Sequence, residues 1–218
     1  MAEEPKERTA VGRAREYGID LSLLESSLRM TPTERLIQNE GMLALVREPE
    51  RAMPQQHLPL QKLLNCLLDH RVDFVIIGGV AALVYGSVYV TRDLDVCYSR
   101  SGDSLERLVA ALAPLHPRLR GAPSDVPFKW DPRTLRAGLN FTLDTDMGPI
   151  DLLGAVAGIG QYADALAASE LMTLFDRPCR ILTLDALIRS KRATGRPRDL
   201  EAVKELETLR EQREKDSG

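Results

Sequence analysis

Cysteine, histidine and tryptophan are scarce in this 218-residue chain, at three, three and one residues. Cys66, Cys97 and Cys179 form no CxxC pair, and each lies in an apolar or strand-like setting. They read as buried, reduced thiols rather than metal or redox groups. That usage fits a cytoplasmic protein. His57, His70 and His116 are scattered and make no metal-ligand spacing. The formal net charge is only −3, which excludes a broad basic surface that coats nucleic acid but leaves room for a local basic site. No apolar run is long enough to span a bilayer: the longest, Phe74–Val84, is broken by Gly78 and Gly79. The opening residues, MAEEPKERTAVGRAREYG, lack the apolar core of a secretory signal and read as a frayed or partner-dependent arm. No membrane partner is expected, and no internal repeat is visible.

What is present is the composition of an ordinary soluble domain, with 44% hydrophobic and 28% charged residues. Thr31-Pro32-Thr33-Glu34 is a capping box, predicting a helix to about Glu48 that turns Leu36, Leu43 and Val46 inward and is closed by Pro49 and Pro54. A second helix, from about Pro59 to His70, carries an apolar face of Leu60, Leu63, Leu64, Leu67 and Leu68. The segment DFVIIGG then reads as a buried strand ending on a glycine turn, VAALVYG as a short helix, and TRDLDVCYS as a second strand. SGDSLERLVAALAPL is amphipathic, with Asp103 as its expected cap and a buried stripe of Leu105, Leu108, Val109, Leu112 and Leu115.

Residues 116–138 are proline-rich and read as irregular, with Phe128 and Trp130 either stacking on a base or forming a small hydrophobic plug. LNFTLDT and PIDLLGAV predict a strand pair joined around Asp146-Met147-Gly148. ELMTLF and CRILT predict another across Asp176-Arg177-Pro178. Two helices close the chain, about Leu184–Thr194 and about Arg198–Glu211, with a fraying tail. The fold class expected is α/β or α+β, a mixed sheet flanked by helices. The expected organisation is a helical N-terminal extension over 1–58, a core over 59–183 and C-terminal helices over 184–218.

The chemistry concentrates in four places. Asp93 and Asp95 alternate on a strand, so both carboxylates project from one face. Two acids that close repel unless a cation lies between them, and hard cations such as Mg²⁺ take oxygen ligands. Alone, Asp-x-Asp is as well explained by a surface or capping role. Gly78-Gly79 ends an apolar strand and opens a helix, where backbone N–H groups can approach a phosphate. Alone, it could be a tight turn without a ligand. Asp151 lies between Ile150 and Leu152 on a predicted strand and could line a site or an edge. Lys191, Arg192, Arg196 and Arg198 form a basic run suited to phosphates, or to a solvated helix end.

Together these elements resemble the DNA polymerase β-like nucleotidyltransferase superfamily. The motif is Ile77-Gly78-Gly79, residues 80–92 as spacer, Asp93-Leu94-Asp95-Val96, and later Ile150-Asp151-Leu152. GGVAALVYG, TRDLD and KRATGRPRDLEAV are similar to bacterial nucleotidyltransferases related to AbiEii-type toxins of toxin–antitoxin systems, over roughly residues 70–210. Many superfamily members carry Gly-Ser in the turn, and that serine contacts the donor's phosphates. Here the position is Gly79, and Ser87 and Thr91 are the candidates to replace the hydroxyl.

The resemblance implies transfer of a nucleoside monophosphate from an NTP to a hydroxyl, with pyrophosphate released. Asp93, Asp95 and Asp151 would bind metal, two Mg²⁺ ions with Mn²⁺ as a substitute, and serve catalysis. Gly78, Gly79, Arg92, Lys191 and Asp199 would bind nucleotide, with Lys191 also catalytic. The acceptor is open among a tRNA 3′ end or other RNA, a protein and a small molecule, and a cognate antitoxin is an implied partner. The alternative is a non-catalytic or regulatory nucleotide-binding member of such a pair.

Overall fold

A computed structural model describes residues 12, 18–47, 59–123 and 127–216. The expected N-terminal arm falls almost wholly outside the described residues, as do the side chain of Val46, the stops at Pro49 and Pro54, and His57. The elements in order are α1 (Leu21–Leu28), α2 (Pro32–Arg47), α3 (Pro59–Asp69), β1 (Phe74–Ile76), α4 (Gly78–Tyr85), β2 (Leu94–Tyr98) and α5 (Gly102–Leu112). There follow β3 (Arg118–Leu119), α6 (Pro132–Ala137), β4 (Asn140–Thr145), β5 (Gly148–Leu153), β6 (Ala155–Val156) and β7 (Gly160–Gln161). The chain ends with α7 (Tyr162–Ala167), β8 (Ser169–Leu174), β9 (Arg177–Leu182), α8 (Leu184–Thr194) and α9 (Pro197–Asp216).

Seven strands form one sheet in the order β3-β4-β5-β2-β1-β9-β8. The sheet is mixed: β2 runs parallel to β5 and β1 parallel to β9, while the other neighbours are antiparallel. Helices flank it, with α3 against β5 and α7 against β1, β2, β8 and β9. This is the mixed, helix-flanked sheet that the sequence pattern predicts. Leu94, Val96, Ile150 and Leu152 alternate onto a buried face and join one apolar cluster that also takes in Leu24 and Leu36 from the N-terminal helices. Among the described residues no helix is long and apolar enough to cross a membrane.

Local signals explain most boundaries. Thr31 and Glu34 form the reciprocal capping box, the Glu34 N–H donating to Thr31 Oγ1 at 3.3 Å and the Thr31 N–H to Glu34 Oε2 at 2.7 Å. Gly195 ends α8 at φ +67°.

Several boundaries depart from the sequence-based expectation. Ser101, not Asp103, occupies the cap position of α5, and Asp103 lies in the first turn. The β8–β9 turn is Phe175-Asp176, both at positive φ, which leaves Arg177 and Pro178 inside β9. The segment 116–138 is not wholly irregular: β3 pairs with β4, and Leu135 anchors α6 in the core. Phe128 and Trp130 pack against the core, and the Trp130 indole N–H donates to the Val109 carbonyl, so they form the plug. The C-terminal helix continues to Asp216 because Val203, Leu206 and Leu209 are buried and the Arg213 guanidinium lies 5.0 Å from the centre of the Tyr85 ring.

Candidate active site

The strand pairing brings the acids together. Residues directly opposite on parallel strands share a face, and the register pairs Asp95 with Asp151. On β4, Thr142 stands opposite Asp151, so Asp144, two residues on, projects from the same face. Asp93 precedes β2 by one residue and points the same way as Asp95. Four carboxylates, Asp93, Asp95, Asp144 and Asp151, therefore share one end of one sheet face.

The glycine turn closes over Asp95. The Ile77 N–H donates to the Asp95 carbonyl at 3.0 Å, extending the β1–β2 ladder to the start of α4. Gly78 then takes φ +64°, and a Cβ there would lie 2.0 Å from Asp95 Oδ2. Only glycine fits both the backbone and the space. The Gly79 N–H approaches Asp95 Oδ2 at 3.4 Å. A Cβ on Gly79 would lie 2.4 Å from Thr91 Oγ1, so the Thr91 hydroxyl fills the volume that a serine side chain would take at 79. Ser87 is committed elsewhere, its hydroxyl donating to Glu205 Oε2 at 2.7 Å.

The residue that no sequence pattern singles out is Arg120. Its Nη1 donates to Asp93 Oδ2 at 2.7 Å, its Nη2 to Asp151 Oδ1 at 3.0 Å and its Nε to Asp144 Oδ1 at 3.2 Å. A further bond runs from Nη2 to the Leu143 carbonyl at 3.0 Å. One guanidinium thus ties three carboxylates from separate segments. Asp95 is outside this set. Burial and the nearby Asp151 charge push its carboxyl up to about 7, against the opposing pull of the Gly79 N–H and Lys191. Asp151 is also pushed above the ordinary range, by burial, with Arg120 pulling it back.

The remaining candidates are distributed around this centre. The Lys191 ammonium pairs with Asp199 Oδ1 at 3.1 Å, both half-buried, and its charge reaches Asp95. Arg92 is exposed and lines a cleft with Thr91, Asp93, Leu94, Pro149 and Asn39. Arg192 pairs with Glu207, while Arg196 and Arg198 are exposed. His116 pairs with Asp146 at 2.6 Å, away from these groups, and His70 bonds the Cys66 carbonyl. Cys97 and Cys179 are buried free thiols, both pushed up to about 11 by burial.

Two buried polar side chains frame the segment leading to Asp93. Asn39 grips the main chain of Thr91, donating to its carbonyl at 2.9 Å and accepting from its N–H at 3.0 Å. Glu205, 1% exposed, accepts from the Ser87 hydroxyl and from the Val88 N–H at 2.8 Å. Strand alternation from Thr142 could have found Asp144. Arg120 follows a two-residue strand, and Asn39 and Glu205 lie on helices remote in sequence, so no local period marks them.

The donor set is all oxygen, on one face of paired strands, and suits a hard divalent cation. As the side chains stand, no three metal-ligating groups converge among the described residues, and Arg120 pairs with both Asp93 and Asp151. No family model matches the sequence, and no curated protein does. Among solved structures, the chain is similar to the antibiotic-resistance factor ANT(2'')-Ia in solution, with a TM-score of 0.45 and 17% identity over 73% of this chain and 91% of that one. It is also similar to a crystal structure of ANT(2'')-Ia in complex with adenylyl-2''-tobramycin, with a TM-score of 0.44 and 16% identity over 73% of this chain and 97% of that one.

Proposed function

We propose that this chain is a metal-dependent nucleotidyltransferase that moves a nucleoside monophosphate from an NTP to an acceptor hydroxyl and releases pyrophosphate. The observation that carries the reading is the pairing of Asp95 with Asp151, with Asp93 beside them and Gly78 packed against the Asp95 carboxylate. Such a cluster of acids around a glycine turn is costly to hold without a cation.

Asp93, Asp95 and Asp151 would hold Mg²⁺, two ions by the resemblance, with Mn²⁺ as a substitute. Bound metal would supply Lewis-acid stabilisation of charge on the phosphates. The backbone at Gly78-Gly79 would receive the donor's phosphates, with Lys191 and Arg92 offsetting their charge and Asp199 holding Lys191. Asp151 would also accept the proton of the acceptor hydroxyl. The hydroxyl oxygen then bonds to the α-phosphorus, the bond to the bridging oxygen breaks, and pyrophosphate leaves with that electron pair. The protein's part is positioning and electrostatics.

The core over 59–183 would carry the acids, the C-terminal helices over 184–218 would complete the site with Lys191 and Asp199, and the helices before residue 59 would buttress it. A tRNA 3′ end is the acceptor we favour, for the exposed Arg196 and Arg198 beside Lys191 suit a phosphate chain. A cytoplasmic toxin paired with a cognate antitoxin is the setting this implies. A second reading, a non-catalytic nucleotide-binding member of such a pair, is favoured by the Arg120 guanidinium standing across the carboxylates.

The test is incubation with labelled NTPs, Mg²⁺ and total tRNA, cell extract or aminoglycosides. Label transferred to an acceptor supports the enzyme and identifies its substrate. Absence of transfer to any acceptor, with metal bound, supports the second reading.

A further inference from the structure

Arg120 lies where a shared cation would neutralise Asp93 and Asp151, and it reaches both with separate nitrogens, at 2.7 and 3.0 Å. Beyond these two acids its side chain is held on β4, by Asp144 Oδ1 at 3.2 Å and the Leu143 carbonyl at 3.0 Å, and its main chain lies at the edge of the sheet. The Arg120 N–H donates to the Thr142 carbonyl at 2.9 Å, one residue past the two-residue β3 at the edge of the sheet. Gly121 follows at φ +71° with nothing within 4 Å of where a Cβ would be, so the chain turns away in open space. Asp151, by contrast, is on β5, laddered on both sides by β2 and β4, and Asp93 leads directly into β2. The acids thus sit on or beside central strands, whereas the arginine follows the edge strand and would give up its bonds to Asp144 and the Leu143 carbonyl on swinging out. A guanidinium and a divalent cation between the same two carboxylates repel each other and compete for Asp93 Oδ2 and Asp151 Oδ1, the oxygens that Arg120 holds.

We propose that Arg120 is a tethered counter-cation that occupies the metal position in the free protein and swings out when a divalent cation enters. This rests on the metal-dependent reading above. The edge position lets the arginine stabilise a cluster of like charges before the metal arrives, at the cost of weakening metal affinity in proportion to the time it is seated. Once displaced, the same guanidinium is a free cation at the rim of the site.

The test is Mn²⁺ binding to the full chain without nucleotide, followed by electron paramagnetic resonance of free Mn²⁺. Wild type is compared with Arg120→Ala, Arg118→Ala and Asp93→Asn. If Arg120 is seated most of the time, Arg120→Ala binds Mn²⁺ about tenfold more tightly than wild type. Arg118→Ala removes an equal charge nearby, on an exposed arginine paired to Asp146, and shifts affinity far less. Equal binding by wild type and Arg120→Ala, lost in Asp93→Asn, overturns the counter-cation and leaves the metal site standing. Equal tightening by both arginine variants also overturns it, as a general charge effect. No Mn²⁺ binding by any form overturns the metal reading and this proposal with it.

Should Arg120→Ala fail to fold, the wild-type chain carries the test through the Nε–H signal of Arg120, assigned by its loss in Arg120→Lys. On Mg²⁺ addition the signal moves to the position of exposed arginines. A signal unmoved while Mg²⁺ binds overturns the proposal.

Discussion

Asp95 and Asp151 stand in register on two parallel strands, so their carboxylates face the same side of the sheet as direct neighbours. An aspartate ordinarily ionises near 3.8, and here burial and Asp151 raise Asp95 to about 7. Between those values the folded chain keeps a proton that the unfolded chain has released, so stability falls as pH rises through the window. Each pH unit inside that window costs about 1.4 kcal/mol, so the metal-free protein is expected to lose on the order of 3 kcal/mol between pH 5 and pH 8. Denaturant titration at the two pH values checks this. Asp95→Asn should flatten most of the slope and leave a remainder from Asp151 and Glu205, whose carboxyls burial raises as well. A slope unchanged by Asp95→Asn would contradict the account.

Under the proposed function, Asp93, Asp95 and Asp151 take part in the reaction and Asp146 does not. Asp93→Ala, Asp95→Ala and Asp151→Ala should each lower transfer by about 100-fold or more, as loss of a preorganised charged group does. Asp146 is paired with His116 and Arg118 at the β4–β5 turn. Asp146→Ala should therefore keep nearly full transfer in the same label assay. Equal loss in all four variants would mean that a structural collapse, rather than chemistry, is being read.

Much of this architecture is legible in the chain because its signals are local. Alternation in LDVCY and PIDLL assigns the buried face, and Gly78-Gly79 before a short apolar helix marks the turn. Thr31 and Glu34 need only each other. What escapes is whatever depends on residues distant in sequence. Arg120 reaches back 27 residues to Asp93 and forward 31 to Asp151, from a segment with no periodicity. Asn39 meets Thr91 across 52 residues, and Glu205 meets Ser87 across 118. The end of α9 escapes for the same reason: charged residues such as Arg213 read as solvated, whereas its guanidinium covers the Tyr85 ring.

Gly79 and Thr91 form a complementary pair, since a Cβ on one would lie 2.4 Å from the hydroxyl of the other. Gly79→Ser should therefore destabilise by about 1–3 kcal/mol, the usual range for overpacking. Thr91→Ala would leave the Thr91 Cβ 2.7 Å from the Cβ position at residue 79, so Thr91→Gly is the change that opens the space, and Gly79→Ser with Thr91→Gly should recover most of that loss. A double-mutant cycle on thermal unfolding measures the coupling, and additive effects would refute the steric account. Gly78→Ala has no such rescue. It places a methyl 2.0 Å from Asp95 Oδ2 at φ +64°, and should disrupt both stability and metal binding.

Asn39 holds the strand-like approach to Asp93 by exchanging two hydrogen bonds with the Thr91 main chain while only 4% exposed. Asn39→Ala leaves a part-buried carbonyl and N–H without their partner, at a cost of about 1 kcal/mol or more. Asn39→Asp keeps the acceptor for the Thr91 N–H but turns the donor toward the Thr91 carbonyl into a second acceptor, adding repulsion and another negative charge near the site. Its loss should exceed that of Asn39→Ala. Because Thr91 packs on Gly79 and lies two residues before Asp93, slackening it should loosen the glycine turn as well. Titration with a non-hydrolysable Mg-NTP should then show weaker binding for Asn39→Ala, alongside a lower melting temperature. A variant with reduced melting temperature but unchanged nucleotide affinity would confine Asn39 to the fold and remove it from the site.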